Sequence, residues 1–153
     1  MNIDEIKELM DNFDPTTLLP DLSSIVGKVE LAMRIVVLVG PILLLVLGLL
    51  YFFAAPREAN HYFGYRCFFG MGSQEAWRFT QRFAGIVWAG LGLILTIVMT
   101  VITGGFAGKP VMDIVSSGLT CLLWEIGLTV LSCLAINLTV MFRFDRNGLP
   151  RKM

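Results

Sequence analysis

The stretch IVVLVGPILLLVLGLLYFFAA, residues 35–55, carries no charged side chain, and its reading decides the fold. At about 1.5 Å per residue, a helix of some 20 apolar residues crosses a hydrocarbon core of roughly 30 Å. Hydrocarbon offers the backbone no hydrogen bonds, so a spanning segment must satisfy its own N–H and C=O groups, as a helix does. Residues 83–103 read the same way, and so do residues 115–142, where Glu125 is the one interrupting acid. The expected fold is all-α and integral to a membrane: a three-transmembrane-helix bundle with an amphipathic N-terminal helix.

Charge narrows the function classes. Twelve Lys and Arg residues balance twelve Asp and Glu, so no basic field exists to hold a phosphate backbone, and direct nucleic-acid binding is not expected. His61 is the single histidine, and Cys67, Cys121 and Cys133 lack ligand-like spacing. Neither a metal nor another cofactor is expected, and the thiols should be free. No nucleophile and base stand together in a triad-like pattern, which argues against an enzyme. The opening Met1-Asn2-Ile3-Asp4-Glu5 lacks the basic start of a cleaved signal, so the first helix is expected to remain in the mature protein.

Residues 1–34 form an N-terminal segment. Ile3, Ile6, Met10 and Phe13 recur at helical spacing opposite Asp4, Glu5, Glu8 and Asp11, which reads as an acidic amphipathic helix. It either lies at an interface or partner, or is a solvated extension. Asp14-Pro15 and Leu19-Pro20 mark turns, and Leu22 to Arg34 is expected to run into the first span. Gly40-Pro41 removes a backbone hydrogen bond and should kink that span. Lys28, Arg34 and Lys109 flank one side of the spans, against Arg57, Arg66, Arg78, Arg82, Arg143, Arg146, Arg151 and Lys152 on the other. The positive-inside rule then places the first loop and a basic tail, residues 143–153, in the cytoplasm and the N-terminus outside.

The loop between Pro56 and Arg82 mixes glycine, arginine and aromatics. Ser73 can cap a helix with Glu75 in its first turn, and that helix carries Trp77, Arg78, Gln81 and Arg82 into the second span. Arg57, Arg78 and Arg82 can snorkel to lipid phosphates. Arg66 follows Gly64-Tyr65, where a tight turn would aim its guanidinium back at the helix of Trp77 and Gln81, and Asn60 could close the turn.

Trp77, Gln81, Gly85, Ala89, Gly92, Thr96 and Thr103 share one face of the continuous helix that enters the second span, and Gly118, Cys121, Glu125, Thr129 and Ser132 one arc of the third span. The two faces are expected to meet, burying Glu125 beside the small-residue seam of the second span. An acid there costs on the order of 3 kcal/mol if it faces lipid, so it must be protonated, paired or wetted. Glu125, Thr96 and Thr129 make an intramembrane polar site. It is either a proton-binding or ligand-sensing carboxyl, or a neutral acid hydrogen-bonded to a threonine or a backbone carbonyl.

The pattern Asn60-x3-Gly64-Tyr65-Arg66 followed by Ser73-x3-Trp77-x3-Gln81-Arg82-x2-Gly85 resembles the signature of the SdpI family of bacterial membrane proteins, here in a single short domain over residues 35–142. Cys67 departs from the family, which tends to carry threonine there. The resemblance implies a bacterial plasma-membrane protein that confers immunity to a toxin peptide and signals by holding a transcriptional repressor. It implies a partner- or ligand-binding surface at Asn60, Gly64, Arg66, Trp77, Gln81 and Arg82. The alternatives are a structural or accessory subunit that forms a homo-oligomer or joins a membrane partner, and a transporter that uses Glu125. The transporter lacks a second ionisable group within a span.

Overall fold

The structure, a computed structural model, describes residues 22–59 and 62–151. The amphipathic helix expected over Met1 to Phe13 lies outside the described residues, as do Asn60 and His61. Three long helices follow in order: α1 Leu22–Phe53, α2 Gln74–Gly104 and α3 Val111–Arg143, with a single 3-10 turn at Phe69–Met71 between the first two. Each helix is long and apolar enough to cross a membrane.

All three extend past the apolar cores from which they are read. α1 runs unbroken from upstream of Arg34, which pairs with Glu30 one turn earlier. It continues through Pro41, whose missing N–H leaves the Val37 carbonyl without its usual helical partner. α2 starts where expected: the Ser73 hydroxyl accepts the Ala76 N–H at 3.1 Å, with Glu75 in the first turn. α3 has Asp113 in its first turn and Arg143 in its last, each complementing the helix dipole.

The polarity of the bundle is inverted relative to a protein in water. Leu43, Val46, Ile94, Ile97, Leu123 and Ile126 face outward, whereas Thr80, Gln81, Thr103, Glu125 and Ser132 are buried. Lipid is the solvent that makes this arrangement favourable, since apolar side chains lose nothing by facing it.

The small-residue face of α2 meets α1, which corrects the expectation that it meets the third span. A Cβ built on Gly48 would lie 2.2 Å from the Ala89 amide nitrogen; one on Gly92, 2.4 Å from that of Leu45; and one on Gly85, 2.7 Å from that of Phe52. The reason is Gly48, a small residue on α1 opposite the α2 seam, which lets the two backbones touch, whereas on α3 Gly118 is covered by the Met33 side chain and Gly127 faces open space. The arc of α3 instead lies along α1 and the edge of α2. Gly118 abuts Met33, Cys121 packs with Val37, Leu44, Leu95 and Met99, and Ser132 meets Trp88.

The segment after α3, read from sequence as a basic tail, is folded as far as Arg151. Asp145 Oδ1 accepts from the N–H groups of Asn147 and Leu149 at 2.9 and 2.8 Å, and Phe144 bridges Pro150. Ser73 Oγ donates to the Gly148 carbonyl at 2.6 Å, so the cap of α2 and the turn after α3 form one unit. Gly148 has φ +72°, and a Cβ there would sit 2.4 Å from the Ser73 amide nitrogen. Gly148→Ala should therefore destabilise the protein by about 1–3 kcal/mol, read as earlier unfolding in detergent, with the segment after Arg143 becoming protease-sensitive.

Candidate functional site

The first loop is held by the helix that follows it. Gly64, at φ +122°, turns the chain so closely against α2 that a Cβ would lie 2.9 Å from the Trp77 ring and from Gln81 Oε1. The turn delivers the backbone of Tyr65. Its N–H donates to Gln81 Oε1 at 2.8 Å, and its carbonyl accepts from Gln81 Nε2 at 2.7 Å. One buried amide side chain thus matches both polar groups of one peptide residue, as a neighbouring strand would. Trp77 Nε1 donates to the Pro56 carbonyl at 2.9 Å, pinning the other arm of the loop. Cys67 is buried under Thr80, and burial pushes its thiol above the ordinary range.

These contacts sort the residues expected on a binding surface. Gly64, Trp77 and Gln81 come together, but Trp77 and Gln81 are buried and fully engaged inside the chain, so their part is to shape the loop. Arg82 is exposed. Arg66 is exposed too, and the turn aims the Tyr65 backbone at Gln81 where the guanidinium of Arg66 was expected.

Tyr65 carries the loop into the membrane. Its hydroxyl donates to the Cys133 carbonyl at 3.2 Å and accepts from Asn137 Nδ2 at 3.0 Å, and its ring stands edge-on to Trp88 with centroids 5.4 Å apart. Burial keeps the phenol protonated well above its usual range, so it remains a donor. Trp88 in turn donates from Nε1 to Ser132 Oγ at 3.2 Å, and Ser132 donates to the Thr129 carbonyl at 2.7 Å. Tyr65, Trp88 and Asn137 are absent from the sequence-derived site. Only the position of Tyr65 inside the Gly64–Arg66 motif and the polarity of Asn137 in an apolar run could have signalled them.

Trp88 also lines a hollow of about 450 Å³ between α1 and α3, together with Gly40, Pro41, Leu44, Glu125 and Thr129. Glu125 is 6% exposed, and its Oε1 is buried without a hydrogen-bond partner among the described residues. Its Oε2 lies over Gly40, 2.9 Å from where a Cβ would stand. This corrects the expected neighbourhood of Glu125, which faces Gly40 and Pro41 of α1 instead of the α2 seam, because α1 already fills that seam. Thr129 shares the hollow. Thr96 does not line it, and its hydroxyl is spent on the Gly92 carbonyl at 2.7 Å. An unmatched carboxyl in an apolar hollow is a ready acceptor for a donor or a cation brought in by a ligand.

Three apolar helices, a loop clamped to the second of them and a buried acid define a small multi-pass membrane protein. A family model described as the SdpI/YfhL protein family matches residues 57–141, more than half of the 153 residues. The chain belongs to that family. The matched segment holds the clamped loop, α2 and nearly all of α3, and leaves out α1, to which the sequence resemblance extended. No curated protein and no solved structure gave a match.

Proposed function

We propose that this protein senses a membrane-active peptide within the bilayer and relays its presence through the first loop, with immunity to that peptide as the result. The observation that carries the reading is Trp88, which touches both ends of the device: it lines the Glu125 hollow, and it packs on Tyr65, the residue that anchors the loop. A ligand that displaces Trp88 would shift Tyr65 and with it the exposed loop residues Tyr62, Arg66 and Phe68. Those residues form the face offered to a partner such as a repressor, and in this reading the loop lies in the cytoplasm, which the surplus of arginines supports. The role is binding and not catalysis.

Survival of susceptible cells expressing the protein, across a panel of membrane-active peptides that includes any encoded nearby, tests this directly. Protection is expected for at least one peptide, and Glu125→Gln, which preserves shape but removes the acid, is expected to lose most of it while the protein still accumulates. Unchanged survival across the panel would reject the reading.

A second reading, an accessory subunit, is favoured by Gly90 on α2 and Gly127 on α3, which have open space where another helix can approach. It expects a copurifying membrane partner or a homo-oligomer in mild detergent, and a clean monomer removes it.

A further inference from the structure

Where α1 ends and α2 begins, three arginines surround one hollow of about 400 Å³. Arg57 reaches it from the loop, Arg78 and Arg82 from the first turns of α2, and Tyr51, Phe52 and Phe53 wall it on the α1 side. All three arginines are exposed, and among the described residues none has an ion-pair or hydrogen-bond partner.

Their placement is fixed. Arg78 and Arg82 stand four residues apart and so share one face of the helix, where like charges repel unless an anion lies between them. Arg57 directly follows Pro56, whose carbonyl is tied to the buried Trp77 one residue before Arg78. The amide of Gln81 also borders the hollow, but both of its ends are committed to Tyr65. Recognition is therefore left to the guanidiniums. The nearby acids do not neutralise them: Glu75 shares a neighbouring cleft with Arg78 and Arg82 without pairing, and Glu58, next to Arg57, is exposed and unpaired among the described residues.

We infer that this hollow is a binding site for a phosphate monoanion or dianion carried on an amphiphile or a small ester, held by Arg57, Arg78 and Arg82. Guanidinium forks match phosphate oxygens two at a time, and weak hydration lets arginine do so at an interface. The aromatic wall at the end of α1 continues into the apolar surface of the bundle, which suits a ligand whose head is anionic and whose tail follows the helices. The anionic headgroup of a phospholipid and a soluble phosphate ester share this chemistry. The site is separate from the Glu125 hollow and stands whether or not a peptide is sensed there.

The test uses the full chain in a neutral mild detergent, titrated with phosphatidylglycerol and, separately, phosphatidylcholine, with bound lipid counted by native mass spectrometry. Phosphatidylglycerol is expected to bind at least about tenfold more tightly than phosphatidylcholine, and more weakly as salt is raised. Arg57→Gln/Arg78→Gln/Arg82→Gln should abolish the preference, whereas Lys109→Gln/Arg146→Gln, which removes as many exposed charges as two of the three, should keep it. Should the triple variant fail to fold, Arg78→Gln alone is expected to lose a clear part of the preference. Glycerol phosphate in the same titration separates the sources: displacement of the lipid assigns the site to phosphate esters generally, and its failure to displace assigns it to the lipid headgroup. Equal binding of the two lipids, or an arginine variant indistinguishable from the control pair, would overturn the inference.

Discussion

Replacing Gly48 by leucine is expected to leave no folded bundle. The glycine has no room even for a Cβ, which would meet Ala89 N at 2.2 Å, Ala89 Cα at 2.7 Å and the Trp88 carbonyl carbon at 2.7 Å. These are backbone atoms of α2 and cannot swing aside as a side-chain tip would. The helices would have to separate along the seam where Gly85 and Gly92 also rely on contact. Overpacking of a close-packed core by a single methylene costs about 1–3 kcal/mol, and a whole leucine against backbone should cost more than about 3 kcal/mol. The measurement is the folded fraction after extraction in mild detergent, with Gly90→Leu as the control, because nothing lies within 4 Å of a Cβ at that position. Equal yields from the two variants would disprove backbone contact between α1 and α2.

The second large effect is at Gln81. Leucine there fills a similar volume but leaves the N–H and the carbonyl of Tyr65 buried without partners. Each orphaned group costs about 1–3 kcal/mol, so Gln81→Leu should destabilise by about 2–6 kcal/mol, concentrated in the loop. Amide hydrogen exchange at Tyr65 is the readout, and it should be strongly accelerated in Gln81→Leu. Unchanged exchange in the leucine variant would mean that the clamp does not hold the loop.

Much of the fold was legible because hydrocarbon imposes one secondary structure on any long uncharged run. Residues 35–55, 83–103 and 115–142 lie inside α1, α2 and α3 but for Ala54 and Ala55, and the Ser73 cap was readable from residue type and position. The pairing of faces was not legible. Helical periodicity groups Gly85, Ala89 and Gly92 on one side of α2 but says nothing about which neighbour takes that side, and the decisive residue, Gly48, looks like any other glycine in an apolar run. For the same reason the burial of Glu125 is legible in the sequence and its neighbour, Gly40, is not. Among the loop residues, the motif groups Gly64, Trp77 and Gln81, and the fold brings these three together. That they contact one another depends on the path of the Tyr65 backbone, which no spacing encodes. The turn around Asp145 to Gly148 is masked by basic neighbours that read as a tail, although Asn147-Gly148 is a strong local turn signal.

The hydrogen bond from Ser73 to Gly148 joins positions 75 residues apart. On a ribosome adding about 5–20 residues per second, the second of those positions is made roughly 4–15 s after the first. The opening turn of the middle helix therefore waits, incompletely braced, until the last helix has been inserted and its trailing turn has come back across the same membrane surface. The mouth of the loop is thus closed only by the turn that follows α3, and a bulky fusion placed soon after Arg151 would be built into that closing step.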